Sequence, residues 1–495
     1  MKFEIFASRM TMQKIIVYLF VLYFFLLLSG TAAEALFSQN PESKRATHWY
    51  FGDGAGLDFS SGSPIAVIDG ALHTPEGCAS ISDLSGNLLF YTDGDTVWNQ
   101  NHIPMPNGTG LLGCSLGSSI QGALIMPQPQ SNNLYYVFTT DCGENLGFNG
   151  LRYSIIDMNL NGGLGDIVFT QKNIQLMTPV DECLTGVQVC DSVSWIITHQ
   201  SNTSNFYCYK LTQNGITIFP VINVIGQPYI LYSSCAKFSN SGQKFALVYG
   251  GVNSFLELYD FDINTGKLSN LKTLIANGGE SSIEFSTNEN YLYVPSNGNM
   301  LHQFDISSNN SSLINSSYTL IYDSFDNSSF LAVQNAIDNK IYISAMNKDS
   351  ISVIANSNSL GLSCNLNYLS VSLNGRYSQL GLPNFSTNYF APNSLENCSE
   401  IIYIPNVFTP NDDGVNDYFN IEVSNYSEIH YSIYNRWGNE IFNSVAQPIT
   451  SSVITLWDGK IKGENASAGV YFYLVNLKKA GGENKTEKGF IQLLH

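Results

Sequence analysis

The chain has 495 residues, 44% of them hydrophobic, 13% aromatic and only 13% charged, with a formal net charge of −18. That length exceeds one ordinary domain, and 28 Tyr with 29 Phe supply a large core of the kind that packs on pleated surfaces. No basic stripe accompanies the acidity, so nucleic acid is excluded as a partner, and the charge reads as solubility for an exported protein.

The first predicted element is a leader. Lys14 precedes the apolar run IIVYLFVLYFFLLL, and SGTAAEALFSQ follows with small residues suited to signal peptidase. This pattern predicts a signal peptide over residues 1–35 and a short leader over 36–47. The apolar run is shorter than the ~20 residues of a membrane-spanning helix, and no later stretch reaches that length, so no transmembrane helix is expected after the leader is removed. Beyond the inner membrane the nine cysteines can pair, and their odd number leaves at least one over. Cys183 with Cys190 and Cys364 with Cys398 are candidate local pairs. No CxxC or His–Cys cluster has zinc spacing.

From about Cys78 to Phe390 one theme recurs: a strand-like run, a polar turn with Gly or Asn, and a second run rich in Tyr, Phe, Val or Ile. CASISDLSGNLLFYTDG, CAKFSNSGQKFALVYGG and SIEFSTNENYLYVPSNG are examples. Each reads as an antiparallel hairpin whose turn residues tolerate positive φ. Anchors at Ser80, Ala123, Val187, Ala236, Ile283 and Val333 recur with a period of roughly 40–50 residues, broken by one longer step that holds the Gly-rich insert DCGENLGFNG. The period predicts an all-β chain with a β-propeller over 48–390, seven blades favoured, against the alternative of a β-sandwich array. NYLSVSLNGRYSQLGLPNF is expected to supply the seventh blade, with HWYFGDG (His48 to Gly54) closing the ring by joining it.

After a linker over 391–401 the pattern changes. IIYIPNVFTPNDDGVNDYFNI, IHYSIYNRWGNEIF, ITLWDGK and AGVYFYLVNL read as short strands with tight turns, predicting a small Ig-like sandwich over 402–495. Within NDDGVND, Asn411, Asp413 and Asp417 around Gly414 offer alternating oxygen ligands like a partial calcium loop, but the late Glu of an EF-hand is absent, and Asn, Asp and Gly also simply make turns. No other cofactor is expected.

Two resemblances bear on these elements. HWYFGDGAGLDFSSGSPIAVIDG, GLRYSIIDMNLNGGLGDI and LGLPNF resemble the propeller-bearing secreted proteins of Bacteroidetes, which implies architecture and delivery and brings no catalytic residues. The closing segment is similar to the gliding-motility-associated C-terminal domain, the type B sorting domain of the type IX secretion system. The residues that carry this second resemblance are Pro405, Asn406, Phe408, Thr409, Pro410, Asn411, Asp413, Gly414, Asn416, Asp417 and Phe419; Asn435, Arg436, Trp437 and Gly438; Trp457, Asp458 and Gly459; and Gly469 with Tyr471. One departure is the terminal His495, where such domains commonly end in Lys or Arg. The resemblance implies export across the outer membrane to the surface or the medium, with the type IX machinery as partner.

Other candidates are weaker. Asp93 and Asp95 in YTDGDTVW form a carboxylate pair or merely a turn. His48, His73, His102, His199 and His302 are scattered and read as strand-end or surface residues. Trp49, Trp98, Trp195, Trp437 and Trp457 are either sugar platforms or core. No G-x-S-x-G elbow or P-loop is present. The expected function is therefore a non-enzymatic surface or extracellular binding or adhesion protein, with polysaccharide or another surface ligand as its target. A propeller hydrolase or lyase acting on carbohydrate is the alternative, and a structural component of the gliding or adhesion apparatus a minor one.

Overall fold

A computed structural model describes residues 40–114, 118–228, 234–250, 254–275, 278–324, 330–391, 402–411, 416–423, 426–449, 453–478 and 484–494. The expected signal peptide, nearly all of the expected linker, Cys398, Asp413 and Gly414 lie outside them. The described residues from Glu42 onward belong to one compact unit. Among them no helix is long and apolar enough to cross a membrane.

Among the described residues before the C-terminal domain, seven antiparallel sheets follow one another along the chain. Sheet 1 has three strands, His48–Phe51, Ala55–Asp58 and Ile65–Val67. Sheet 2 is a four-stranded meander of Ala79–Ser82, Leu88–Thr92, Thr96–Asn99 and Pro104–Thr109, and sheets 5, 6 and 7 repeat that order. Sheets 3 and 4 each add a fifth strand, Ile174–Met177 and Val221–Val224, beside their third. The turn after the first strand recurs too. Gly86, Gly242, Glu289 and Asn339 each donate their N–H to the carbonyl three residues back, and each has positive φ. The Gly- and Asn-bearing turns are thus where the hairpin pattern places them.

The first strand of each sheet lies beside the first strand of the next. Each pair of neighbours shares an apolar cluster: Ile81, Phe90 and Val97 meet Ile125, Val137 and Ile156 between sheets 2 and 3, for instance. The ring closes where Trp49, Phe51, Leu57 and Phe59 of sheet 1 pack on Tyr342, Ile351 and Val353 of sheet 7. This is a β-propeller.

Closure differs from the expected strand exchange. Sheet 7 already has its fourth strand, Leu366–Ser372, so His48–Phe51 opens a sheet of its own and meets sheet 7 through side chains, and the one backbone link of HWYFGDG to NYLSVSLNGRYSQLGLPNF among the described residues is the bridge from Asp53 N to Tyr377 O (3.0 Å). The stretch LGLPNF builds no blade. Residues 381–390 are all buried and run along the axis of the ring. Asn384 donates its backbone N–H to Cys78 of sheet 2 and its side-chain amide to Ala123 O of sheet 3 (3.2 Å) and Leu184 O of sheet 4 (2.8 Å). Ser386 and Asn388 accept from Gln188 N, Thr387 donates to Ser239 O, and Phe385 packs on Trp49. A Cβ on Gly381 would lie 1.8 Å from the Glu76 carbonyl, so only glycine lets the segment enter.

The cysteine pairs also differ. Cys114 and Cys142 form a disulfide. Cys183 and Cys190 are not joined to each other: both sit in the extended strand Val180–Cys190, and seven residues at ~3.3 Å each hold them far beyond disulfide reach. Cys364 is a buried thiol, so it is not bonded to Cys398.

The C-terminal domain is a sandwich. A three-stranded sheet (Ile402–Tyr403, Phe419–Val423, Val453–Trp457) faces a six-stranded one built around Glu428–Tyr434, Gly469–Lys478 and Asn484–Leu493. Along Gly469–Lys478 burial alternates with period two, so Tyr471, Tyr473, Val475 and Leu477 point inward against Phe408, Phe419, Ile421 and Trp457.

Candidate functional site

Three of the four motif segments of the C-terminal domain converge on one core. Phe408 packs on Phe419 (6.1 Å) and Trp457 (5.4 Å), and Trp457 meets Tyr471 edge-on at 4.8 Å. Gly459, at φ 75°, sits where a Cβ would come within 2.7 Å of Pro410, which ties the WDG turn to the FTP turn. Asp458 accepts from Lys460 N, and the Trp457 indole donates to Lys460 O. Thr409 donates its N–H to Asn416 O, and Asn411 donates its N–H to Asp417 Oδ1 (3.1 Å). The two described members of the calcium candidate thus close a turn on each other, and Asp413 lies outside the described residues.

The fourth segment is different. Asn435 Oδ1 accepts from the N–H groups of Trp437 and Asn439, and Gly438 takes φ 81°, which makes a rigid hairpin tip. On it Trp437 is 72% exposed, with the Arg436 guanidinium stacked 4.6 Å above its ring. Asn435, Arg436, Trp437, Gly469 and Tyr471 line one open groove of about 250 Å³.

Another part of the domain is committed to the propeller. Tyr403 and Glu422 are cross-strand partners, and together they clasp Lys210 of sheet 4. The Lys210 ammonium lies 3.0 Å from Glu422 and 4.8 Å over the Tyr403 ring, while Tyr403 donates its O–H to Phe219 O and packs on Trp195. Asn406 donates to Ile222 O of the same sheet. Burial pulls the Lys210 pKa down, and Glu422 opposes that shift.

On the propeller, a built site lies on the rim where the first strands begin. The insert joining Leu134–Thr140 to Leu151–Asp157 is pinned by the Cys114–Cys142 disulfide. The Asp141 carboxylate accepts from Asn145 Nδ2 and Asn149 N, both at 2.7 Å. Gly147 and Gly150 have positive φ, and a Cβ on either would come within 2.1 Å of a backbone carbonyl of 177–180. This frame holds Leu146 and Phe148 out in solvent at 53% and 65% exposure. Beside it, buried Glu182 accepts from Gly143 N (3.0 Å) and Ile120 N (3.4 Å). Burial, with help from Glu144 and Asp181, pushes the Glu182 pKa up to about 7. Burial and the charges of Glu182 and Glu144 push Glu76 up to about 8. Glu76, Ile120, Ser281, Leu331 and Gly381 line a cavity of only about 30 Å³ at the end of the filled axis.

Asp93 Oδ1 accepts from Asp95 N and Thr96 N, which is a turn. His199 is fully buried in a strand, not at the surface, with Nδ1 2.6 Å from Asp181. His302 is also buried and stacks on Tyr318, whereas His73 is exposed. Trp49, Trp195 and Trp457 are core, Trp98 stacks on Tyr91, and Trp437 alone of the five is open. The residues the sequence did not single out are Leu146, Phe148, Glu76, Glu182, Lys210 and Tyr403. The long step around DCGENLGFNG was the available signal for the first two.

No curated protein sequence matches this chain. Solved structures similar to it include the extracellular domain of a candidate hybrid two-component system from Bacteroides thetaiotaomicron, at 13% identity and TM-score 0.34, covering 86% of this chain and 56% of that one, so the match spans about half the length of that extracellular domain. A candidate 6-phosphogluconolactonase from Bacteroides fragilis matches at 10% identity and TM-score 0.41, over 68% of this chain and 96% of that one. A Cps50 (Swd1) β-propeller domain from Myceliophteria thermophila matches at 8% identity and TM-score 0.37, over 61% and 94%. Residues 402–493 match the CHU_C type IX secretion signal domain. The chain therefore carries a type IX sorting domain and is exported by that machinery to the cell surface or the extracellular space.

Proposed function

We propose that the propeller is a binding module that works outside the cell, and that it grips its target with the rim insert 141–150. The carrying observation is the disulfide-framed presentation of Leu146 and Phe148. Two large apolar side chains held rigidly in water contribute nothing to the core, whereas a preorganised apolar contact loses little entropy on binding. The filled axis removes the channel as a place for a ligand, which moves recognition to the rim. The target class is a surface polysaccharide or another surface ligand. The test is to measure binding of the wild type and Leu146→Ser/Phe148→Ser to a panel of extracellular polysaccharides and to whole cells. Loss of binding with unchanged melting supports the reading, and unchanged binding sinks it.

The second reading, a carbohydrate-cleaving enzyme, draws on Glu76 and Glu182, whose raised pKa values suit acid–base work near neutral pH. The cavity that Glu76 borders is far smaller than the ~300–1,000 Å³ of ligand pockets, which favours surface binding. Polysaccharide cleavage lost in Glu182→Gln would select the enzyme.

A further inference from the structure

The sorting domain exposes an aromatic face that its own fold does not use. Tyr434, Phe472 and Phe490 are directly opposite one another on three adjacent strands. Phe472 is 45% and Phe490 48% exposed, and Val470, two residues before Phe472 on the same side of its strand, is also exposed and lines the Arg436–Trp437 groove. In a strand, alternate residues share a face, so the inward set (Tyr471, Tyr473, Val475) builds the core, and the outward set forms a row continuous with the groove. A contiguous apolar patch of this kind marks an interaction surface.

We infer that this row, with the Arg436–Trp437 tip, is the face by which the sorting domain docks on the type IX exporter. The domain has two kinds of surviving contact residue. Tyr403, Asn406 and Glu422 are engaged by the propeller, so an exporter that takes the folded chain finds them covered. The aromatic row and tip remain open in the same molecule. The complementary exporter surface is apolar, to cover Phe472, Phe490 and Trp437, and carries a carboxylate, the group that a guanidinium such as that of Arg436 binds with paired N–H donors. The inference rests on the type IX assignment of residues 402–493 and names the surface that serves it.

The experiment uses full-length chains in a host with the type IX exporter. Phe472→Thr/Phe490→Thr keeps residues suited to strands while removing the rings, and Arg436→Glu reverses the tip charge. Val445→Thr, at an 81% exposed position outside the row, is the control. The expected result is an export yield reduced about tenfold or more in both test variants, with the chain retained in the periplasm, melting as the wild type does, and a control that exports normally. Wild-type export by both variants overturns the inference. So does a fall in export that tracks a fall in melting temperature in both variants, since that assigns the rings a structural role. A wild-type dimer in sedimentation that Phe472→Thr/Phe490→Thr splits, with export unchanged, assigns the face to a second copy instead. If the truncated chain lacking 402–495 is exported as well as the full chain, the type IX assignment itself fails, and that outcome is distinct from all of these.

Discussion

Asn384→Ala tests whether the axial segment is integral to the ring. Its side-chain amide donates to Ala123 O and Leu184 O, which belong to two different sheets, and the residue is 5% exposed. Removing the amide leaves two buried carbonyls short of a donor, at about 1.5 kcal/mol each. It also removes Oδ1, which has no hydrogen-bond partner among the described residues, and that returns about 1 kcal/mol. The backbone bond to Cys78 O survives in alanine. The net cost is about 2 kcal/mol. An unfolding entropy of ~2.1 cal/mol/K per residue over roughly 340 propeller residues gives ~0.7 kcal/mol/K, so the melting temperature should fall by about 3 °C. Differential scanning calorimetry on the oxidised full chain measures it. A fall of less than about 1 °C would refute the claim that the segment binds the sheets together.

Two further predictions concern charge. Glu76 has a folded pKa of about 8, raised above its ordinary value, so its contribution to stability is fully present below about pH 4.5 and is lost as pH rises through about 8. Glu76→Gln should therefore gain stability relative to the wild type across that window, read as the difference in urea midpoints, and a difference that is flat with pH would contradict the burial of this carboxyl. Lys210→Ala, Glu422→Ala and their double variant should show a coupling of about 1–3 kcal/mol in a double-mutant cycle, because the ammonium is almost fully buried against its partner. Additive effects would mean that the sorting domain does not dock on sheet 4 in solution.

What could be read from the residues alone was whatever depends on near neighbours. The turn at Asp83–Gly86 and its repeats at Gly242, Glu289 and Asn339 are local, so polar punctuation revealed the hairpins and their period. The sorting motifs were legible by order, and the convergence of Phe408, Trp457 and Gly459 gives that order its physical reason. Contacts between distant residues were not legible. Asn384 looks like any loop asparagine until Ala123 and Leu184 are placed beside it, and Lys210 like any strand lysine until Glu422 arrives. The insert 141–150 showed only as a break in spacing, because its rigidity comes from Cys114 and from the backbone of 177–180.

The position of the axial segment in the chain has a consequence for when the molecule can fold. Sheets 1 to 7 leave the ribosome in order, yet the residues that satisfy Leu184 O and Ala123 O and cover Trp49 are 381–390, the last of the propeller to be made. Until they emerge, the inner edges of several sheets have unpaired groups facing an open hole, and the contacts that would close it span hundreds of residues, the slowest kind to form. The next described residues, from 402 onward, belong to the sorting domain. Completion of the cargo and appearance of its address are therefore nearly simultaneous, so a chain cut short anywhere before residue 390 loses both together, with neither a closed ring nor a signal for export.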